Sequence, residues 1–373
     1  VPEQVTRVFR KVIPTGIQHG TVTVMLGTEA FEVTTLRGET TYSNGRHPDA
    51  VFFVDDLAAD LARRDFTINA IAYDVDKECV VDPFGGVEDL RAGLIRAVGS
   101  ANERFAEDGL RVLRGARFCA TLEFALEPST RDAITPNLPT FARVSVERIR
   151  EEWLKCMKAR APSLGFRVML ETGILRSIYA PLEQALRAQP EPPEAFVVLD
   201  GLAKSDPLLR LLGLFTALQS AEWDTLMRKL KFSNDERKRA MTIAQSLSRA
   251  RELGLMDSGA VARDADIRRW LQTVMPHGLS DWHQMAAALA STSEQRAVVD
   301  ALAARAKSIL ARGDALTLAQ LAVDGAALQA ELGLPPSKAL GTILHALLQQ
   351  VIDDPTLNQR DRLLAIARAH PAN

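Results

Sequence analysis

The sequence predicts an α+β head at the amino-terminal end, followed by a longer, mostly α-helical remainder. Three observations predict it. Clear strand signals are confined to the first 98 residues. From Glu103 to about Arg368 the apolar spacing is helical and is broken chiefly by prolines. Only 6% of residues are aromatic, while Ala and Leu crowd the second half, a composition that favours helix over a β-sandwich. A chain of 373 residues suits two or three packed units at about 100–200 residues each. With 47% apolar and 25% charged residues, it is neither disordered nor fibrous.

In chain order, the β-branched runs Thr21-Val22-Thr23-Val24 and Phe31-Glu32-Val33-Thr34-Thr35 flank Gly27-Thr28 and read as a hairpin. Residues 51–54 and 79–81 are further short strands around a helical stretch near residues 66–73, giving a small mixed sheet over residues 1–98. Helices then run between Pro128, Pro136, Pro162 and the proline-rich loop at 189–193. Ser233 and Glu236 have capping-box spacing. Leu340, Ile343, Leu344, Leu347, Leu348 and Val351 form one apolar stripe, read as core.

The net charge of -2 and pI near 6.4 do not mark a nucleic-acid binder, though local basic patches survive a neutral total. The densest is Arg228, Lys229, Lys231, Arg237, Lys238 and Arg239, which could meet phosphates or be a solvated face. Cys79, Cys119 and Cys156 are widely spaced, which argues against a disulfide framework or zinc site and for reduced thiols. The absence of a long apolar run or signal pattern predicts a cytoplasmic protein without membrane contact. The six histidines form no i, i+4 pair, and no nucleophile elbow is spelled, so zinc-enzyme and hydrolase readings find little support. The opening Val1-Pro2 predicts a fragment or trimmed chain.

The most informative segment is Glu107-Asp108-Gly109-Leu110-Arg111. Asp108 and Arg111, three apart, are expected on one helix face and offer an acceptor beside a donor. Cytosine and adenine each set an amino donor beside a ring-nitrogen acceptor, whereas guanine and uracil reverse that order. The same spacing also fits an ordinary exposed ion pair worth about 0.3–0.5 kcal/mol. Arg63-Arg64-Asp65-Phe66-Thr67-Ile68-Asn69-Ala70 sets two cations and a carboxylate at the start of a predicted helix, suited to phosphates and a ribose hydroxyl or simply a charged helix start. Asp82-Pro83-Phe84-Gly85-Gly86 reads as a turn or a hinge. Glu32 shares a strand face with Thr34 and could face a metal or solvent; Asp74-Val75-Asp76 follows the helical stretch and is a weaker candidate.

Taken in order, these segments resemble the class II tRNA nucleotidyltransferase and poly(A) polymerase family, and within it the CCA-adding enzymes. The series begins at Thr15-Gly16-Ile17-Gln18-His19-Gly20, includes Gly45-Arg46-His47-Pro48-Asp49, and ends at Glu147-Arg148-Ile149 with Glu152. In the tail, Asp324-Gly325 with Leu328, Gly333-Leu334-Pro335-Pro336, Gly341, Leu357-Asn358 and Leu363-Leu364 resemble CCA-adding enzymes more than poly(A) polymerases. The resemblance implies an α+β head of polymerase-β nucleotidyltransferase type (1–98, N-terminally truncated here), then mostly α-helical neck (99–180), body (181–255) and tRNA-binding tail (256–373) domains.

It further implies template-independent addition of C, C and A to the 3′ end of tRNA from CTP and ATP. The RNA 3′-hydroxyl attacks the nucleotide α-phosphate with two magnesium ions (Mg2+) and pyrophosphate release, and no obligate protein partner is needed. Arg64, Asp65, Asn69, Glu107, Asp108, Arg111 and Arg114 would bind nucleotide, with Glu107 orienting Arg111. Asp82, Gly85 and Gly86 would be a hinge, Glu147 and Arg148 a brace, and residues 37–49 the loop that switches from cytidine to adenosine addition. The family's Gly-Gly turn and Asp-x-Asp metal motif, which the resemblance places ahead of the segment at Val5, are absent there, leaving Glu32 as the candidate catalytic and metal carboxylate and predicting that this chain alone is nearly inactive. The alternatives are a poly(A) polymerase and a non-catalytic helical RNA-binding protein.

Overall fold

The predicted hairpin forms and supplies the central strand and one edge of a three-stranded antiparallel sheet, β1 (Val12–Gly16), β2 (Thr21–Leu26) and β3 (Glu29–Thr34). Its register sets Thr21 opposite Thr34 and Thr23 opposite Glu32, so Glu32 and Thr34 share a face as expected. The computed structural model describes residues 1–17, 20–39, 51–257, 262–275, 278–333 and 338–369. Gln18-His19, the Gly45 to Asp49 segment, most of the 37–49 loop and Leu334-Pro335-Pro336 lie outside the described residues.

The expected mixed sheet is instead a set of separate ladders. Strand β4 (Arg37–Glu39) pairs antiparallel with β5 (Val51–Phe53), and β6 (Ala72–Asp74) with β7 (Cys79–Val81). Strand β8 (Leu94–Ile95) pairs in parallel with β9 (Ala125–Leu126), beyond the point where strand signals were expected to stop. Two residues are too few to show a period of two.

Two units make up the chain, residues 1–203 with 229–231, and residues 204–228 with 232–373. In the first, the helices are α1 (Pro2–Val8), α2 (Leu57–Ala62), α3 (Gly86–Ala92), α4 (Ala101–Glu107), α5 (Leu110–Leu122), α6 (Pro128–Asp132), α7 (Leu138–Phe141), α8 (Val146–Cys156), α9 (Ser163–Glu171), α10 (Ile174–Arg187) and α11 (Glu194–Gly201). Helix α5 packs against α8 and α9. Trp153 and Phe166, both fully buried, meet edge to face at 5.3 Å.

The helical stretch expected over residues 66–73 is not there. Helix α2 ends upstream at Ala62, and Thr67–Asn69 make one 3₁₀ turn that leads into β6. The reason is competition from side chains and distant backbone: Phe66 N–H donates to Asp65 Oδ1, Thr67 N–H to the Arg96 carbonyl and the Thr67 hydroxyl to Asp89. These bonds replace those a helix would have made.

The second unit holds α12 (Pro207–Phe215), α13 (Ser220–Lys229), α14 (Asn234–Glu252), α15 (Asp264–Val274), α16 (Leu279–Leu289), α17 (Ser293–Arg312), α18 (Gly325–Leu332), α19 (Lys338–Asp353) and α20 (Arg360–Ala369). The capping box predicted at Ser233 and Glu236 opens α14. The predicted stripe is the buried face of α19, packed with Leu363, Leu364 and Ala367 of α20. Each fully buried Leu or Val there contributes about 1.5–3 kcal/mol. Several tail residues carrying the resemblance serve this packing. Asp324 caps α18, and Asn358 accepts from Ala322 N–H and donates to the Gln320 carbonyl. Buried Arg268 pairs with Asp314 at 2.9 Å and donates to the Ile352 and Asp353 carbonyls at the end of α19.

Candidate functional site

Helix α2 begins under an Asp56 cap and carries Asp60, which is 2% exposed. Asp60 accepts from Arg63, Arg64 and the Arg37 N–H. Burial pushes its carboxyl up, but these bonds outweigh burial and hold it below the usual carboxylate range. The two arginines therefore stand at the end of a helix, where the sequence reading put a helix start. Asp65 follows: its Oδ1 accepts from Phe66 N–H and Asn69 Nδ2, and its Oδ2 from Arg114 Nε at 2.6 Å. Arg64 Nη1 donates to the Asn69 carbonyl.

Opposite this segment the helix expected through residues 107–111 breaks. Asp108 is extended at φ -137, ψ 106, between α4 and α5, so Asp108 and Arg111 do not share a continuous helix face. A Cβ at Gly109 would lie 2.7 Å from the Phe141 N and Cα atoms and the Thr140 carbonyl carbon. Only glycine lets the break press against α7.

The ordinary Asp108–Arg111 ion pair weighed from the spacing is also not formed. Both Asp108 oxygens face Arg148, at 2.7 and 3.3 Å, and Oδ1 also accepts from Leu110 N–H. Arg111 Nη1 instead donates to Glu107 at 2.5 Å and to the Arg104 carbonyl, and its Nη2 donates to the Arg63 carbonyl at 2.8 Å.

These groups line one cleft of 480 Å³, formed by Arg63, Arg64, Asp65, Asn69, Asp108, Leu110, Arg111, Arg114, Phe118 and Arg148. The structure thus brings together Arg64, Asp65, Asn69, Asp108, Arg111, Arg114 and Arg148, with Glu107 directly behind Arg111. A carboxylate offers about four acceptor positions and a guanidinium five donors. The bonds above leave Asp108 one acceptor, on Oδ2, and Arg111 two donors, Nε–H and one Nη2–H.

Sequence reasoning missed Asp60 and Phe118. The i+3 and i+4 spacing of Asp60 to Arg63 and Arg64 was a usable signal. Phe118 had none: its ring is covered at 4.0 Å by Arg117, which buried Glu152 holds at 2.6 Å from another helix.

Other candidates stand apart from the cleft lining. Asp82 accepts from Gly86 and Val87 N–H, both at 2.8 Å, and so caps α3 behind Gly85, whose φ is +74. Burial raises the Asp82 carboxyl, and these backbone bonds more than reverse that. Glu147 pairs with Lys231 at 2.6 Å on an exposed surface. Asp74 accepts from Asp76 and Lys77 N–H and pairs with Lys77, so it ties a turn. In the basic region, Arg228 and Arg237 meet Asp224, while Arg239 meets Asp206 and Asp281.

Glu32 is exposed on β3. No group of three or more His, Cys, Asp or Glu able to hold a metal ion occurs among the described residues. The side chains described here therefore do not fit the two magnesium ions that the resemblance implies. All three cysteines are free. No helix among the described residues is long and apolar enough to cross a membrane.

Family profiles match three stretches: a poly(A) polymerase head domain over residues 1–96, an RNA- and SrmB-binding site of polymerase A over 123–186, and tRNA nucleotidyltransferase domain 2 over 203–367. A CCA-adding enzyme of Ligilactobacillus salivarius is 32% identical over 370 residues, covering 98% of this chain and 85% of that one. The chain belongs to the CCA-adding enzyme family.

Similarity to the CCA-adding enzyme of Lactobacillus johnsonii reaches 48% over 177 residues, spanning 48% of this chain and 44% of that relative's length. Among solved structures, the Bacillus stearothermophilus CCA-adding enzyme in complex with CTP superposes with a TM-score of 0.77 at 30% identity, over 99% of this chain and 86% of that one. The Thermotoga maritima CCA-adding enzyme complexed with tRNA shares the fold, with a TM-score of 0.61 at 18% identity over 98% of this chain and 83% of that one. The α+β head and helical remainder expected from sequence are thus the fold of CCA-adding enzymes.

Proposed function

We propose that the chain binds CTP and ATP in the 480 Å³ cleft and belongs to an enzyme that adds C, C and A to the 3′ end of tRNA without a template. The observation that carries this is the hydrogen-bonding capacity left at the break between α4 and α5. Asp108 retains one acceptor for an exocyclic amino group, and Arg111 retains two donors. Cytosine matches all three with its amino group, ring nitrogen and carbonyl, and adenine matches two. Uracil and guanine set a carbonyl against Asp108, which disfavours them by roughly 1–3 kcal/mol for a buried unpaired group.

In this proposal Arg64, Asp65, Asn69 and Arg114 take the ribose and phosphates, and the RNA 3′-hydroxyl attacks the α-phosphate with pyrophosphate leaving. A dependence on magnesium belongs to the proposal, since the family uses divalent ions, although the described side chains do not fit them. The finer division into head, neck, body and tRNA-binding tail, the hinge role of Asp82, Gly85 and Gly86, the bracing role of Glu147 and Arg148, and a cytoplasmic setting with reduced thiols are carried with it.

Calorimetric titration with the four ribonucleotides tests the site: CTP and ATP should bind at least tenfold more tightly than UTP and GTP, and D108A or R111A should abolish that preference. Extension of tRNA lacking its 3′ end tests the activity. Addition of C, C and A followed by a stop is expected of the enzyme, whereas long adenosine tracts would identify a poly(A) polymerase. The 373-residue chain alone is expected to be nearly inactive in extension, in keeping with the described side chains, none of which form a metal-holding group. Robust extension by this chain would refute that expectation.

A further inference from the structure

We infer that Asp89, which lies outside the cleft, is a positioning residue for it, acting through the turn that carries Asn69. This rests on the nucleotide reading above. Asp89 projects from α3 and is 6% exposed. Its Oδ2 accepts the Thr67 hydroxyl at 2.7 Å, and both its oxygens lie 3.1 Å from Arg96 Nε. Thr67 is 2% exposed, and its N–H donates to the Arg96 carbonyl at 2.9 Å. The Asp89–Arg96 pair therefore grips Thr67 by both side chain and main chain.

Helix α3 is pressed onto the same residue. A Cβ at Gly86 would lie 2.2 Å from the Thr67 carbonyl oxygen, and the Asp82 cap holds the start of α3 in that position. Two residues beyond Thr67, Asn69 donates to Asp65 Oδ1 and accepts from Arg64 on the cleft wall. A three-residue turn has little rigidity of its own: Asn69 N–H bonds to the Phe66 carbonyl and Ala70 N–H to that of Thr67. Releasing Thr67 from Asp89 leaves the turn free to rotate and takes the Asn69 amide off Asp65. The wall offered to ribose and phosphates then loses its shape, while Asp108 and Arg111 keep their partners.

The test is calorimetric titration of the 373-residue chain, wild type and variants, with CTP, dCTP, ATP and UTP. Thr67→Val removes the hydroxyl at nearly constant volume. It should weaken CTP about tenfold, equivalent to about 1.4 kcal/mol, and bring the CTP-to-dCTP preference toward one, with the CTP-to-UTP ratio unchanged. Thr67→Ser, which keeps the hydroxyl, should restore both quantities. Asp89→Asn should shift them in the same direction as Thr67→Val, and it carries the test if circular dichroism shows that the valine variant does not fold. Folded variants that bind CTP and dCTP like wild type would overturn the inference. So would parallel collapse of the CTP-to-UTP ratio, which signals general disruption. A wild-type chain that binds neither CTP nor ATP overturns the cleft reading itself, a different result from an unaffected variant.

Discussion

Replacing Gly109 by alanine perturbs the break between α4 and α5 directly. The added Cβ would stand 2.7 Å from three backbone atoms of Thr140 and Phe141, against an ordinary contact of 3.4–4 Å. Relief requires a displacement of about 1 Å, and it must come from backbone, because no flexible side-chain end is involved. Overpacking of this kind costs about 1–3 kcal/mol. For a unit of this size, 2 kcal/mol lowers the melting temperature by roughly 4–8 °C.

The neighbouring Asp108 sits 2.7 Å from Arg148, a bond that a shift of that size breaks. Base preference should therefore fall along with stability. Urea unfolding followed by circular dichroism, with CTP and UTP titrations on the same sample, reads both. A G109A unfolding free energy within about 0.5 kcal/mol of wild type, with the CTP preference intact, would refute the close approach and its proposed consequence.

Three further outcomes are expected. Arg148→Leu leaves the Asp108 carboxylate without its bidentate partner and should lower CTP and ATP affinity by about tenfold or more, as read by calorimetry. Arg268→Leu leaves Asp314 with Arg312 as its remaining partner and strands the Ile352 and Asp353 carbonyls, and should destabilise the second unit by roughly 1–3 kcal/mol in urea unfolding. Glu127 gives an acid limb: burial raises its carboxyl, but bonds from Ser129 and Thr130 outweigh this and lower it from 4.5 to about 2. The stability it adds is complete above the unfolded value near 4.5 and drains as pH falls toward 2, in total on the order of 2–3 kcal/mol. Glu127→Gln should flatten the stability profile across that window; a variant profile parallel to wild type would count against the assignment.

What was legible in the sequence was local. The hairpin showed because β-branched residues alternate on either side of a two-residue turn. The α14 cap showed because Ser233 and Glu236 bond within one turn, and the α19 stripe because its spacing matches a helix buried on one side. Residues 101–122 hid their break. Nothing in Glu107-Asp108-Gly109-Leu110-Arg111 forbids helix, and Arg148 with the α7 backbone, 31 or more residues away in sequence, decides the conformation. Thr67 is a similar case, with Asp89 and Arg96 as the distant partners. The residues of the cleft were mostly identified from motif order, but their pairings were not, because Asp65–Arg114 and Arg117–Glu152 join segments 49 and 35 positions apart.

The way in which arginines grip residues 62–65 has a consequence for how freely that stretch can vary. Arg104 and Arg111 bind the carbonyls of Ala62 and Arg63, and a carbonyl is present whatever side chain the residue carries. Arg114 instead binds the Asp65 carboxylate, which only a carboxylate of the same reach reproduces. Substitution tolerance should therefore be sharply uneven over four consecutive residues, with Ala62 open to replacement by other helix-compatible residues and Asp65 closed even to glutamate. A saturation library of this stretch would map the boundary between grip on the main chain and grip on a side chain.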